Sequence, residues 1–192
     1  MMKKRIIIGV TCVVLLSIIA VISIFQFVFP LTYEFVEAKT FKYLGDDYAG
    51  VIETEYKEAK EGLRSDIPLL TSEDFDFSDP NNFTQIVLWY EVKNRSFLDV
   101  NNIEFYVEDL GTYADRFMYK TDAVVTQSAD ANEFATIRFD VYMFTEGLSE
   151  REIMQAVKGL TINLQYIQDF TGNHSLGISI PDDMAFIENN VL

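Results

Sequence analysis

Hydrophobic and polar positions divide this chain at Pro30. Residues 6–29 read IIIGVTCVVLLSIIAVISIFQFVF, without a charge and without a polar stripe. A helix apolar on every side is one that water does not face. As a helix rising 1.5 Å per residue, the run would reach roughly 36 Å, more than the ~30 Å hydrocarbon core of a bilayer. Its many Ile, Val, Leu and Phe side chains favour insertion and outweigh Gln26, Thr11, Ser17 and Ser23. Pro30 follows at once and ends the helix. Lys3, Lys4 and Arg5 precede the run, and such a basic flank stays on the cytoplasmic side. The expected arrangement is a short cytoplasmic tail over 1–5, a transmembrane helix over 6–29 and an extracytoplasmic remainder.

Other fates for this segment fit less well. A cleaved leader has a shorter apolar region, and the small-residue triplet Val36-Glu37-Ala38 lies well past Phe29. Gly9-Val10-Thr11-Cys12 matches a lipoprotein signal poorly, with too little apolar sequence ahead of Cys12. A pilin-like stalk would carry a glutamate near the start of its helix, whereas the first acid here is Glu34.

Beyond Pro30 the period shortens. Tyr33, Phe35, Phe41 and Tyr43 are spaced by twos in a connector that becomes a first strand. Tyr48, Val51, Ile52, Tyr56, Ala59 and Leu63 recur at threes and fours and predict a helix, with Asp46 and Asp47 in its first turn and Gly62 as its stop. Residues 64–82 are polar and rich in turn formers and predict a long loop. Strands are expected over 83–92, 103–107, 117–125 and 134–144, with a turn at 93–96 and a hairpin loop over 127–132. Ser149 and Glu152 form a capping box for a helix that presents Ile153, Met154 and Val157 and stops at Gly159. Alternation returns over 160–167, a turn follows at 169–173, and a last strand spans 175–180.

About six short strands and one crossing helix predict a mainly β fold, an antiparallel β-sandwich over 83–192, with 30–82 as a connector carrying a helix and an acidic loop. Val92-Lys93-Asn94-Arg95-Ser96, then Val100, Phe105, Asp109 and Gly111, give a strand, a polar turn, a strand and an Asp-x-Gly ending. In these residues the stretch from Ile86 to Ile180 resembles the immunoglobulin-like extracytoplasmic domains of bacterial membrane-anchored proteins. The resemblance implies a fold and an address, with no chemistry attached. The cysteine pair of antibody domains is missing.

Charge narrows the partners. The formal net charge is −15, and residues 1–29 hold three bases and no acid, which leaves −18 on the remainder. Such a domain repels phosphate backbones and excludes nucleic acid as a partner. Cys12 is the single cysteine, so no intrachain disulfide forms and the domain relies on its core.

Candidate chemistry is sparse. His174 is the lone histidine, beside a Gly-Asn turn, and no serine sits in a Gly-x-Ser-x-Gly context. Glu73, Asp74, Asp76 and Asp79 alternate with Phe75 and Phe77 in an acidic loop. Counted from Asp74, the sixth position is Asp79 where a calcium loop needs glycine, and the twelfth is Gln85 where it needs glutamate. A solvated loop is the expectation, with a looser calcium site as the open question. Trp89 is expected in the core. Asn82-Phe83-Thr84, Asn94-Arg95-Ser96 and Asn173-His174-Ser175 match the glycosylation triplet, which acts only in a eukaryotic secretory pathway. The expected protein is therefore a non-enzymatic, membrane-tethered interaction domain of the cell envelope. Its expected partners are the lipid bilayer, through 6–29, and another protein, and it has no cofactor. The rival is an envelope hydrolase using paired carboxylates.

Overall fold

The computed structural model describes residues 2–28, 30–42, 46–122 and 127–188. The side chains of residues 2–9, 25, 28, 42, 46–49, 122, 127 and 188 fall outside that description. The basic flank of Lys3, Lys4 and Arg5, the side chain of Tyr48, residues Phe29 and Tyr43, and positions 123–125 of an expected strand lie outside it too.

Helix α1 spans Met2–Ser23 and continues into a π-helical turn, Ile24–Val28. The expected single helix over 6–29 thus changes its winding at Ile24. Among the described residues no helix is long and apolar enough to cross a membrane.

The remainder is mainly β, in two sheets. Strands are β1 (Leu31–Lys42), β2 (Phe83–Asn94), β3 (Val100–Asp109), β4 (Phe117–Asp122), β5 (Gln127–Ala129), β6 (Phe134–Phe144), β7 (Thr161–Gln168), β8 (Gly172–Ile178) and β9 (Phe186–Glu188). The first sheet runs β4-β6-β2-β1-β9 and the second β5-β3-β7-β8. All pairings are antiparallel except β1 with β9, where Ala38, Lys39 and Thr40 lie beside Phe186, Ile187 and Glu188 in the same direction. The expected all-antiparallel sandwich is corrected at that edge.

The stretch read as a connector supplies β1, which pairs with β2 along nearly its whole length, from Leu31↔Asn94 to Lys42↔Thr84. A bulge between Phe35 and Glu37 adds one residue. It leaves Val36 exposed and returns Ala38 to the core at 0% exposure. That break is why the alternation of residues 31–43 looks loose. The hairpin loop expected at 127–132 contains β5, which leaves the first sheet to pair with β3.

The main core lies between the sheets. Ile86, Leu88, Tyr90 and Val92 of β2 point inward, as do Ile137, Phe139, Val141 and Met143 of β6. Phe105 of β3 reaches across to both strands, with ring centroids 5.9 Å from Tyr90 and 5.2 Å from Phe139. Such offset aromatic contacts add about 0.5–1.5 kcal/mol each beyond their buried area.

Helix α3 (Glu150–Lys158) closes this core. Ser149 Oγ accepts from the Glu152 amide, and the Glu152 carboxylate accepts from the Ser149 amide at 2.8 Å, so the expected capping box forms. Ile153 and Val157 are buried, Met154 partly so, and Ala156 joins them.

Helix α2 (Asp46–Lys60) covers part of the outer face of the first sheet. Ile52, Tyr56 and Ala59 form a second core with Phe83, Met118, Tyr119 and Tyr142. Val51 and Leu63 are exposed at 45% and 69%, so its buried face is narrower than the periodicity implied. Gly62 has φ +75°, its amide bonds to the Ala59 carbonyl, and the Leu63 amide reaches the Glu58 carbonyl. This is a Schellman ending, and it needs the left-handed residue that glycine supplies.

Candidate functional site

The residues that carried the immunoglobulin-like resemblance turn out to organise turns. Asn94 is fully buried, and its side-chain nitrogen donates to the carbonyls of Leu98, Ala129 and Asp130 at 2.8, 2.9 and 3.2 Å. Its Oδ1 accepts from the Ser96 amide at 2.9 Å. One side chain thus ties the β2–β3 loop to the end of β5. Asp109 Oδ1 accepts from the Gly111 amide at 3.0 Å, and Gly111 has φ +65°. A Cβ there would stand 2.9 Å from the Gly159 carbonyl oxygen, so only glycine lets β3 pass the end of α3.

The acidic loop is held by its aromatic residues. Phe77 stacks on Phe83 at 4.9 Å, Phe75 meets Phe144 at 5.2 Å, and both contact Tyr56. Asp74, Asp76 and Asp79 each serve the local backbone or a neighbouring base. Asp74 Oδ1 lies 2.7 Å from Lys60 Nζ, and the hydrogen bond and charge of that lysine hold its carboxyl below the usual range. Asp76 accepts from the Ser78 amide, which lowers its pKa. Asp79 accepts from the Asn81 amide and starts the 3-10 turn Pro80–Asn82. Among the described residues no group of three or more histidines, cysteines or carboxylates gathers to hold a metal ion.

Trp89 does not enter the core. It lies half-buried on the outer face of the first sheet, with the Arg138 guanidinium 5.5 Å from its ring centre. Arg138 also pairs with Asp140, and buried Asp140 accepts from Gln85 at 2.8 Å. His174 is half-buried in β8. Its ring stacks on Tyr166 at 5.3 Å, and its Nε2 lies 2.8 Å from Thr171 Oγ1. Cys12 is exposed on α1.

An open cleft of about 670 Å³ lies between the two sheet edges on one side of the sandwich. One wall is the segment Pro68-Leu69-Leu70. It hangs on β4 through a bridge from Leu69 to Tyr119, with the Lys120 amide on the Pro68 carbonyl at 3.2 Å and the Leu70 amide on the Met118 carbonyl at 3.0 Å. The edge of β4 is thereby covered. The other wall is the second half of β3. Beyond Ile103, β3 pairs only with β7 among the described residues. Half-exposed Tyr106, Leu70 and Val107 offer apolar surface, and Lys120 lies at the base. Exposed Glu104, Glu108 and Asp109 line the rim.

Among the described residues, the second half of β3 has a neighbour strand on one side only, beside apolar surface and acids, and that is a binding geometry. It can accept an extended segment by main-chain hydrogen bonds, choosing apolar and basic side chains. The sequence reasoning missed this cleft. Its one local signal was the apolar run of Pro68-Leu69-Leu70 inside a polar loop. No family model, no curated protein and no solved structure matches the chain.

Proposed function

We propose that this chain is a membrane-tethered interaction module. The tether is α1, and an immunoglobulin-like sandwich outside the membrane binds an extended segment of a partner protein along β3. The observation that carries the binding reading is the asymmetry of the two edges. The edge of β4 is covered by Pro68-Leu69-Leu70, whereas among the described residues β3 from Glu104 onward pairs on one side only and lines the cleft.

The strand order supports the immunoglobulin-like reading. In a constant-type domain the sheets run A-B-E-D and C-F-G. Here β1, β2, β6 and β4 take the first set of places and β3, β7 and β8 the second, and the pairings among these seven strands are antiparallel. β5 extends the C edge and β9 the A edge.

Three features support the tether. The run of 6–29 is uncharged and the flank before it is basic. In α1 the large apolar residues from Val10 to Ile22 are each 49–65% exposed, on every side of the helix. A helix docked on a soluble domain would bury one stripe.

Two measurements test this proposal. The topology predicts that protease added to intact cells, or to spheroplasts where an outer barrier blocks it, digests the domain and leaves a small membrane-bound stub. Full protection beside a digested external control would overturn the orientation. For the cleft, the full chain in detergent micelles is titrated with an alternating lysine–valine peptide while amide exchange is followed. Protection confined to residues 104–109 is expected. Protection elsewhere, or none at saturating peptide, would remove β3 as the binding edge.

A further inference from the structure

The end of the sandwich from which α1 emerges is hydrogen-bonded to that helix and carries exposed aromatic rings. Gln26, in the π-helical turn, donates from Nε2 to the Arg95 carbonyl and accepts at Oε1 from the Phe97 amide at 2.7 Å. Its own carbonyl accepts from Gln168 Nε2 at 2.8 Å. The helix is therefore bonded to the loop 95–99 between β2 and β3 and to Gln168 at the end of β7, which leads into the turn 169–171. Those loops are bonded to one another, the Asp169 amide to the Asp99 carbonyl at 3.2 Å.

Each loop presents an exposed phenylalanine. Phe97 is 58% exposed and Phe170 is 97% exposed. Phe134, 55% exposed, opens β6 at the same end, with Lys93 Nζ 4.6 Å from its ring centre. Phe170 also has φ +66°. A bulky side chain in the left-handed region is an outlier, and glycine or asparagine would hold such a turn with less strain. Keeping a phenylalanine there, and wholly in water, has no explanation inside the fold.

We propose that Phe97 and Phe170 seat this end of the domain in the interfacial layer of the bilayer, so that the sandwich stands on the membrane surface rather than swinging from α1. This rests on the tether reading above. The argument for lipid as occupant is continuity, because the loop that carries Phe97, and Gln168 two residues before Phe170, hold the π-helical turn that continues α1. Aromatic rings are the side chains that settle at headgroup depth. Charge at this end is mixed, with Lys93 and Arg95 against Asp99, Asp130, Glu133 and Asp169, so ring insertion rather than attraction to anionic lipid provides the contact.

The test uses the full chain in phosphatidylcholine vesicles. Trp89 is replaced by Phe, and single tryptophans are introduced as Phe97→Trp, Phe170→Trp or, as a control at the opposite end of β6, Glu146→Trp. Lipids brominated high on the acyl chain should quench the Phe97→Trp and Phe170→Trp emission about twofold and leave Glu146→Trp nearly unchanged. Flotation of the same samples separates the two proposals. A chain that floats with vesicles while all three tryptophans stay unquenched keeps the tether and overturns the seating. A chain that does not float overturns the tether and the seating together. Shielding of Phe170→Trp that appears only with an added protein partner would assign these rings to that partner and overturn the lipid reading.

Discussion

Gln168 Nε2 donates to the carbonyl oxygen of Gln26 at 2.8 Å, joining two residues 142 positions apart. The same nitrogen donates to Ser96 Oγ at 2.8 Å, and Gln168 Oε1 accepts from Thr171 Oγ1 at 2.7 Å. One fully buried amide thereby connects the end of α1, the β2–β3 loop and the β7–β8 turn. The joint between helix and sandwich is a hydrogen-bonded network, and its loss leaves polar groups buried without partners.

Gln168→Ala should therefore destabilise the full chain by about 1–3 kcal/mol, read by urea unfolding in detergent micelles. Gln26→Ala removes exposed bonds and should cost less than about 1 kcal/mol. A change below ~0.5 kcal/mol in the first variant would mean that the joint adds nothing to stability.

Ile153 is 5% exposed beneath the capped helix α3 and belongs to the main core. Ile153→Ala should cost about 2–5 kcal/mol, where an exposed site would change by less than ~0.5 kcal/mol. An unchanged unfolding midpoint would show that α3 does not seal the core.

The Tyr90 hydroxyl is buried without a hydrogen-bond partner among the described residues, and burial pushes its pKa upward. Tyr90→Phe removes an unpaired polar group and keeps the ring that meets Phe105. It should be neutral or stabilising, by up to about 1–2 kcal/mol in thermal or urea unfolding. Destabilisation by more than ~1 kcal/mol would mean that the hydroxyl is satisfied.

Alkaline pH should unfold the domain through its tyrosines. Burial, then Asp74 and Glu73, push the Tyr56 phenol up to about 12, and burial alone pushes Tyr166 to about 12. A raised phenol pKa means that the fold favours the protonated form. The associated stability is fully present below the ordinary value of 10.0 and is lost as pH rises toward 12. Tyr56→Phe should flatten the decline of the unfolding midpoint across that window, and an unaltered slope would remove Tyr56 as its source.

Local chemistry made parts of this protein readable from the chain alone. The capping box of Ser149 and Glu152, the Gly62 stop and the apolar run of α1 depend on residues within a few positions of each other, so spacing is enough to see them. β2 and β6 are equally local as apolar, β-favouring runs, buried by the main core on one face and, at Phe83 and Tyr142, by the second core on the other. What the tertiary structure decided depends on residues far apart. Asn94 reads as a generic turn residue until β5 comes within reach of its side-chain amide. Trp89 reads as core until Arg138 arrives beside it on the outer face. β9 is three residues long and takes its identity from β1, and the β3 cleft has a second wall only because Pro68-Leu69-Leu70 folds back onto β4. A sequence shows which positions avoid water, whereas strand order and edge pairing follow from how the two sheets close over one another, and that arrangement leaves almost no trace in local spacing.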